Sequence, residues 1–337
     1  MKAVAYKATG PIDREDALMD ITLDTPQAGD RDLLVKVHAV SVNPVDTKVR
    51  QRQEPEAGGW VVLGYDAAGV VEAVGPGVEN FKVGDAVFYA GAINRPGSNS
   101  EYHLVDERLV GRKPDSLSDA EAAALPLTAI TAWEMLFERL DVKRPTAQGG
   151  DIILLVGGAG GVGSIAIQLL RALTDITIIA TASRPQTQDW VRQCGAHHVV
   201  NHRQPLAPQV EALGLGAPGF VFSTTQTDTH YADIVELIAP QGRFGLIDDP
   251  AELSALPLKR KAISLHWELM FTRSLFETAD MAEQGKLLSE VAALVDAGKI
   301  RSTVTQVAGK IDAATLRAVH AQIESGSARG KIVLEGF

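Results

Sequence analysis

The run Asp151-Ile152-Ile153-Leu154-Leu155-Val156, followed at once by Gly157-Gly158-Ala159-Gly160-Gly161-Val162-Gly163-Ser164, constrains this chain more than any other stretch. An unbroken apolar run rich in branched side chains predicts a parallel strand buried on both faces, and the glycines begin where it stops. Gly158-x-Gly160-x-x-Gly163 fits the dinucleotide fingerprint. Its glycines serve a tight turn, close backbone approach to a pyrophosphate, and close helix-to-strand contact. The helix predicted over Ile165–Leu173 would aim unpaired N–H groups and the positive end of its dipole at that anion. Such glycines can also mark a plain turn in a chain that holds 31 of them. A second apolar strand, Ile176–Ala180, follows within the length of one βαβ unit and favours the dinucleotide reading.

The end of that second strand bears on which dinucleotide binds. An NAD site places Asp or Glu about 20 residues beyond the glycines to hold the ribose 2′-hydroxyl. Here Ala182, Ser183 and Arg184 occupy that place. A hydroxyl and a guanidinium suit a 2′-phosphate, which a carboxylate would repel and which Arg can grip in a forked geometry. NADPH is therefore the expected cofactor, with a solvated surface Arg as the alternative reading of Arg184.

At 337 residues, with 45% hydrophobic and 22% charged side chains, the chain has apolar material for two domains. Its formal net charge of −10 argues against a nucleic-acid surface and against adhesion to anionic membrane, so small molecules are the expected partners. Met1 leads directly into a short alternating strand, and no apolar run approaches the roughly 18 residues of a membrane span, so cytoplasmic residence is the default expectation. A single cysteine, Cys194, excludes an internal disulfide and any cysteine-rich zinc site.

Before the fingerprint, Lys2–Tyr6, Leu33–Val42 and short glycine-punctuated strands from Val61 to Phe88 predict a small, bent β-barrel. Helical spacing begins near Ser118, covers Asp119–Leu125 and Ile130–Leu140, and sets a first domain boundary near Leu127. Beyond the fingerprint, helices and strands alternate. Strands over His198–Asn201, Gly219–Ser223, Gly242–Ile247 and Ala262–Trp267 bring the total to six, enough for a doubly wound α/β sheet. A long helix over Ala279–Ala297 stops at Gly298, and Val304–Val307, Ala313–Ser325 and Lys331–Leu334 return to mixed structure.

Several separated signatures coincide: Asn43-Pro44-Val45-Asp46, the stretch from Leu63-Gly64-Tyr65-Asp66 to Val71, Val83-Gly84-Asp85-Ala86-Val87, Pro126 to Glu134, the glycine loop, and Gly330-Lys331-Ile332-Val333-Leu334. Together, and collinearly over essentially the whole chain, they resemble the medium-chain dehydrogenase/reductase superfamily and, within it, the zinc-independent quinone oxidoreductase branch. The resemblance implies a GroES-like β-barrel domain over 1–127 and 272–337 and a Rossmann NADP-binding domain over 128–271. It also implies an active site in the cleft between them and a homodimer or homotetramer paired through the Rossmann sheets.

Zinc members of the superfamily use a Cys, a His in a Gly-His-Glu triplet, and a further Cys or Asp. The first two positions resemble Asn43 and Tyr65 here, and neither replaces thiolate and imidazole well. His38, His103 and the pair His197-His198 are scattered, so no zinc is expected. Without a Lewis acid, simple alcohol oxidation is an unfavourable task, whereas a quinone, an enal or an enone spreads the arriving charge onto an oxygen that needs only hydrogen-bond donors and a proton. A zinc alcohol dehydrogenase and a non-catalytic NADPH-binding protein remain the alternatives.

The resemblance assigns residues as well. Asn43 would lie beside the nicotinamide ribose and the acceptor, and Tyr65 would face the cleft as donor or merely fill space in the barrel. Gly158, Gly160, Gly161 and Val162 would cradle the pyrophosphate. Ser183 and Arg184 would take the 2′-phosphate, with His202 close by. Thr128 would lie beside the cofactor, and Phe244, Gly245 and Ile247 would run along the nicotinamide, whose amide needs backbone partners. Trp267, Met270 and Phe271 would line the acceptor pocket or pack in the core, and Lys331 would reach the cofactor phosphates or stand in solvent.

Overall fold

Eleven consecutive residues, Asp32–Val42, form the longest strand of the first unit and organise it. A computed structural model describes residues 1–337, which divide into one unit of Met1–Ile130 with Phe271–Phe337 and another of Thr131–Met270. Asp32–Val42 pairs antiparallel with Asp66–Val74, with Tyr102–Asp106 at its start and with the C-terminal strand Lys331–Glu335 at its end. Register shifts at Leu34/Val35 and Val37/Ala39 bend it, as bulges do, so one strand serves partners in different directions. Val304–Val307, Ala86–Tyr89 and Val110–Arg112 complete a seven-stranded sheet. Met19–Thr22, Lys2–Tyr6 and Val61–Val62 make a separate three-stranded one. Leu33, Val35, Val37, Val71, Val87 and Val105 share one buried core with Ile332 and Leu334 of the returning tail. The density of short strands seen in the sequence is thus that of a GroES-like domain.

The second unit carries six strands, all parallel: Ile152–Val156, Thr177–Thr181, His198–Val200, Phe220–Ser223, Arg243–Leu246 and Ser264–Trp267. In space they run third, second, first, fourth, fifth, sixth, the doubly wound order of a Rossmann fold. Every residue of Ile152–Val156 is buried, as its unbroken apolar run requires of a strand covered on both faces. The strand order reverses beside this first strand, so the glycine loop at its carboxyl end sits at the switch point where such sheets bind ligands.

Three helices differ from the sequence reading by more than two residues at a boundary. The helix after the glycines starts at Gly161, with Gly160 as its extended N-cap. The long helix runs over Glu283–Asp296 and not from Ala279. The segment expected as one helix to Leu140 changes at Glu134–Arg139 to a wider π turn, with Leu140 N–H donating to Met135 O at 2.8 Å.

His320, on the helix Ala313–Glu324, is fully buried and neither ring nitrogen has a hydrogen-bond partner. Burial, with the Arg50 charge adding to it, pushes its pKa down to about 3. A base depressed in the folded state costs stability as pH falls from its ordinary value, because the unfolded chain takes a proton that the folded one refuses. His320→Leu is expected to stabilise the protein by about 1–3 kcal/mol at pH 7, since it removes two unsatisfied polar atoms, and by more at pH 5. Thermal melts at both pH values check this, and a lower melting temperature at both would overturn it.

Candidate active site

The glycine loop separates into positions that the protein itself demands and one that it does not. A Cβ on Gly163 would lie 2.5 Å from Gly157 O and 2.6 Å from Gly158 Cα, and one on Gly158 would lie 2.9 Å from Ala180 Cβ. Gly163 is therefore required where the helix packs on the loop backbone, and Gly158 where the loop meets the second strand. At Gly160 the nearest atom to an added Cβ is Gly157 O at 3.5 Å, an ordinary contact, and φ is −73°. Nothing inside the chain requires glycine there, which leaves open space over the loop backbone. Ser164 N–H makes the first helical bond, to Gly160 O at 2.9 Å, so the N–H groups of Gly161 and Val162 precede it and are available to an anion.

Thr181, at the end of the second strand, holds this loop: its Oγ1 accepts from Gly157 N–H at 2.9 Å, and its carbonyl accepts from Gly158 N–H at 3.2 Å. The same hydroxyl lies 3.2 Å from His202 Nδ1. Ser183 and Arg184 follow after the buried Ala182, both half-buried, with Arg184 opening the helix Pro185–Cys194. Burial, the neighbouring His230 and the Arg203 and Arg184 charges all hold the His202 pKa below its ordinary value. The structure thus brings Ser183, Arg184 and His202 to one end of the sheet, together with Thr181 and His230, which the sequence reading missed. No local pattern distinguishes Thr181 from any other strand threonine.

Other expected cofactor residues are placed differently. Phe244 is fully buried and stacks on Tyr231 with ring centroids 6.2 Å apart, so its side chain belongs to the core and only its backbone is left to serve a nicotinamide amide. Gly245 is explained by packing, because an added Cβ would fall 2.2 Å from Met135 Sδ in the π turn. Ile247, half-exposed just past that strand, has its N–H on Ser223 O at 3.3 Å. Thr128 is buried and its hydroxyl donates to Leu125 O at 3.1 Å. Trp267 is 51% exposed, whereas Met270 and Phe271 are 3% and 2% exposed, so the three do not make one open patch.

In the GroES-like unit, Asn43, Asp46, Asp66 and Lys331 form a single buried polar cluster. Asn43 caps the helix Pro44–Arg52, and its own N–H donates to Asp46 Oδ2 at 2.7 Å. Its Nδ2 donates to Asp66 Oδ2 at 2.8 Å, and its Oδ1 accepts from Lys331 Nζ. Lys331 Nζ also lies 3.0 Å from Asp66 Oδ2 and 3.2 Å from Val42 O. Asp66 Oδ1 accepts from Leu127 N–H at 2.7 Å, and Asp46 Oδ1 from Gly64 N–H at 3.0 Å. The alternative that Lys331 stands in solvent is corrected here, since its ammonium is buried among three oxygens inside the domain. Tyr65 is buried, with its ring edge-on to Phe271 at 5.1 Å, and burial raises its pKa, so it stays a neutral phenol.

These residues do not fit a zinc ion. The Asn43 carboxamide oxygen already faces an ammonium, Tyr65 is a neutral phenol, and no group of three His, Cys, Asp or Glu side chains is arranged to hold a metal. His103 has ordinary partners: Nε2 donates to Pro96 O at 2.9 Å, which leaves Nδ1 to accept from Tyr89 Oη at 3.1 Å. His38 Nδ1 lies 2.9 Å from an Asp119 carboxylate oxygen, and His197 Nδ1 accepts from Ile178 N–H at 2.9 Å.

A GroES-like domain joined to a Rossmann sheet whose glycine loop stands at the switch point defines a two-domain oxidoreductase. Residues 29–115 match the alcohol dehydrogenase GroES-like domain, and residues 194–334 match the zinc-binding dehydrogenase family. A zinc-type alcohol dehydrogenase-like protein of Staphylococcus aureus is 38% identical over 338 residues, covering 99% of each chain. A crystal structure from Rhizobium etli, described as a candidate zinc-dependent alcohol dehydrogenase, is 60% identical with a TM-score of 0.98, covering 100% of this chain and 98% of that one. A mycobacterial protein solved with NADPH is 26% identical with a TM-score of 0.82, covering 99% of each chain. A quinone oxidoreductase of Pseudomonas syringae is 25% identical with a TM-score of 0.83, again over 99% of each. The chain belongs to the medium-chain dehydrogenase/reductase superfamily, as the resemblance of its motifs implied.

Proposed function

We propose that this oxidoreductase transfers hydride from NADPH to a quinone or an α,β-unsaturated carbonyl without zinc. The observation that carries the reading is the end of the second Rossmann strand, where Ser183 and Arg184 stand beside Thr181 and His202 in place of a carboxylate. The mycobacterial relative solved with NADPH and the P. syringae quinone oxidoreductase support the same cofactor and acceptor class. The chemistry supplied by the bound cofactor is hydride donation. The chain's part is to seat the pyrophosphate on the N–H groups of Gly161 and Val162, hold the 2′-phosphate with Arg184 and Ser183, and donate hydrogen bonds to the acceptor oxygen. Tyr65 suits that last role because its hydroxyl keeps its proton at neutral pH.

One observation favours a second reading, that of a non-catalytic NADPH-binding protein: Asn43 has both ends of its carboxamide engaged within the domain and Tyr65 is only 3% exposed. Oxidation of NADPH across a panel of ortho-quinones, 2-alkenals and enones, with ethanol oxidation as control, separates the readings. Turnover of quinones or enals that survives strong chelators is expected. NADPH binding with no turnover would select the second reading, and chelator-sensitive ethanol oxidation would overturn both.

The expected assembly is a homodimer or homotetramer. Ser264–Trp267 is one of the two edge strands of the Rossmann sheet, and it leaves Trp267 half in solvent with one row of backbone groups unpaired by other strands. Such an edge invites a second copy. Light scattering should give a mass of two or four chains, and a monomer at micromolar concentration would remove this part of the proposal. No helix is long and apolar enough to cross a membrane.

A further inference from the structure

Lys331 is 3% exposed, and its three N–H donors meet three oxygens: Asn43 Oδ1, Asp66 Oδ2 and the main-chain carbonyl of Val42. Strand pairing takes it there. Ile332 lies opposite Val42 in the antiparallel ladder, which brings Lys331 alongside Asn43 at the strand's end. The two buried carboxylates of the cluster share this one cation. Burial pushes the Asp46 pKa up to about 7, while the N–H groups of Asn43 and Gly64 and the Lys331 charge act against that rise.

We propose that the Lys331 ammonium is the resident cation of this site: it orients the Asn43 carboxamide and the Asp66 carboxylate and closes to a divalent metal the position that zinc-type relatives are named for. A zinc ion drawn to Asn43 Oδ1 would have to displace the ammonium or sit beside it in a dry pocket, where like charges a few ångströms apart repel strongly. Lys331 is in this sense a positioning residue, acting through Asn43. The inference rests on the metal-independent reading given above. Its test needs no turnover, so failure of the acceptor screen and failure of this test are distinguishable.

The test compares wild type, Lys331→Ala and Lys331→Met by thermal melting, with and without methylammonium chloride and with sodium chloride as the ionic-strength control. Removing one partner of a buried ion pair should lower the melting temperature of both variants by roughly 10 °C. Methylammonium should recover a large part of that loss in Lys331→Ala, whose truncation leaves room for the ion. It should recover none in Lys331→Met, whose side chain fills the space. Variants that melt like wild type, or that respond equally to the amine, would overturn the proposal. Wild type and Asn43→Ala, dialysed against zinc and examined by native mass spectrometry, supply a second readout that does not depend on whether Lys331→Ala folds. Equal zinc content in the two is expected, and one zinc held by wild type and lost in Asn43→Ala would overturn it.

Discussion

Arg184→Ala is expected to weaken NADPH binding by roughly 10- to 150-fold and to leave NADH binding nearly unchanged. A charged hydrogen bond contributes about 1.5–3 kcal/mol, and about 1.4 kcal/mol is a factor of ten in affinity. The guanidinium belongs to a half-buried residue, so salt screening moves the expectation toward the lower end. Two observations support the proposed role of its charge: Arg184 follows Ser183 just past the end of the second strand, and its field contributes to depressing His202. NADH has no phosphate for the guanidinium to grip, hence the asymmetry. Calorimetric titration of both proteins with both cofactors checks this. Equal losses for the two cofactors, or a wild type that prefers NADH, would show that Arg184 does not read the phosphate.

Gly163→Ala and Gly160→Ala should separate folding from cofactor binding. At Gly163 the new methyl would stand 2.5 Å from a backbone oxygen and 2.6 Å from a Cα, and neither atom can move without shifting the strand or the helix. Overpacking of this kind costs about 1–3 kcal/mol or more, and the distortion falls on the loop that receives the pyrophosphate. We expect a clear fall in melting temperature together with loss of NADPH binding. At Gly160 the methyl meets only an ordinary contact at 3.5 Å, so the folded chain should lose no more than the modest cost of alanine at an N-cap. NADPH affinity should nevertheless fall by about 10-fold or more, because the methyl takes the space that close backbone approach to a pyrophosphate requires. Thermal melts and NADPH titrations of both variants decide the matter. A Gly160→Ala protein that binds NADPH like wild type would show that the anion does not lie over this loop.

The two carboxylates of the buried cluster were in view before the structure, within Asn43-Pro44-Val45-Asp46 and Gly64-Tyr65-Asp66, yet as sequence they were only family signatures. Asp46 is recognisable in hindsight as the third residue of a helix that Asn43 begins, a spacing that lets its carboxylate return to the Asn43 N–H. Asp66 offered no such local signal, since its partners Leu127 and Lys331 are 61 and 265 residues away. The surroundings of the Phe244 side chain were illegible for a related reason. Position at a strand's end suggests a ligand, but which face a side chain takes is set by the pleat and by what packs there, here Tyr231 and the core.

What the chain alone determined was everything that local backbone geometry demands. A strand buried on both faces needs an unbroken apolar run, a tight strand-to-helix turn needs glycines at set spacing, and the missing carboxylate after the second strand is a matter of counting. These requirements act over a few residues and so leave their mark in consecutive letters. Only the tertiary structure decided what Lys331 does. Its identity is compatible with solvent, with a phosphate or with a buried carboxylate. The choice followed from a strand pairing that carries it 288 residues back along the chain to Asn43, where a charge already taken out of water keeps its ammonium inside.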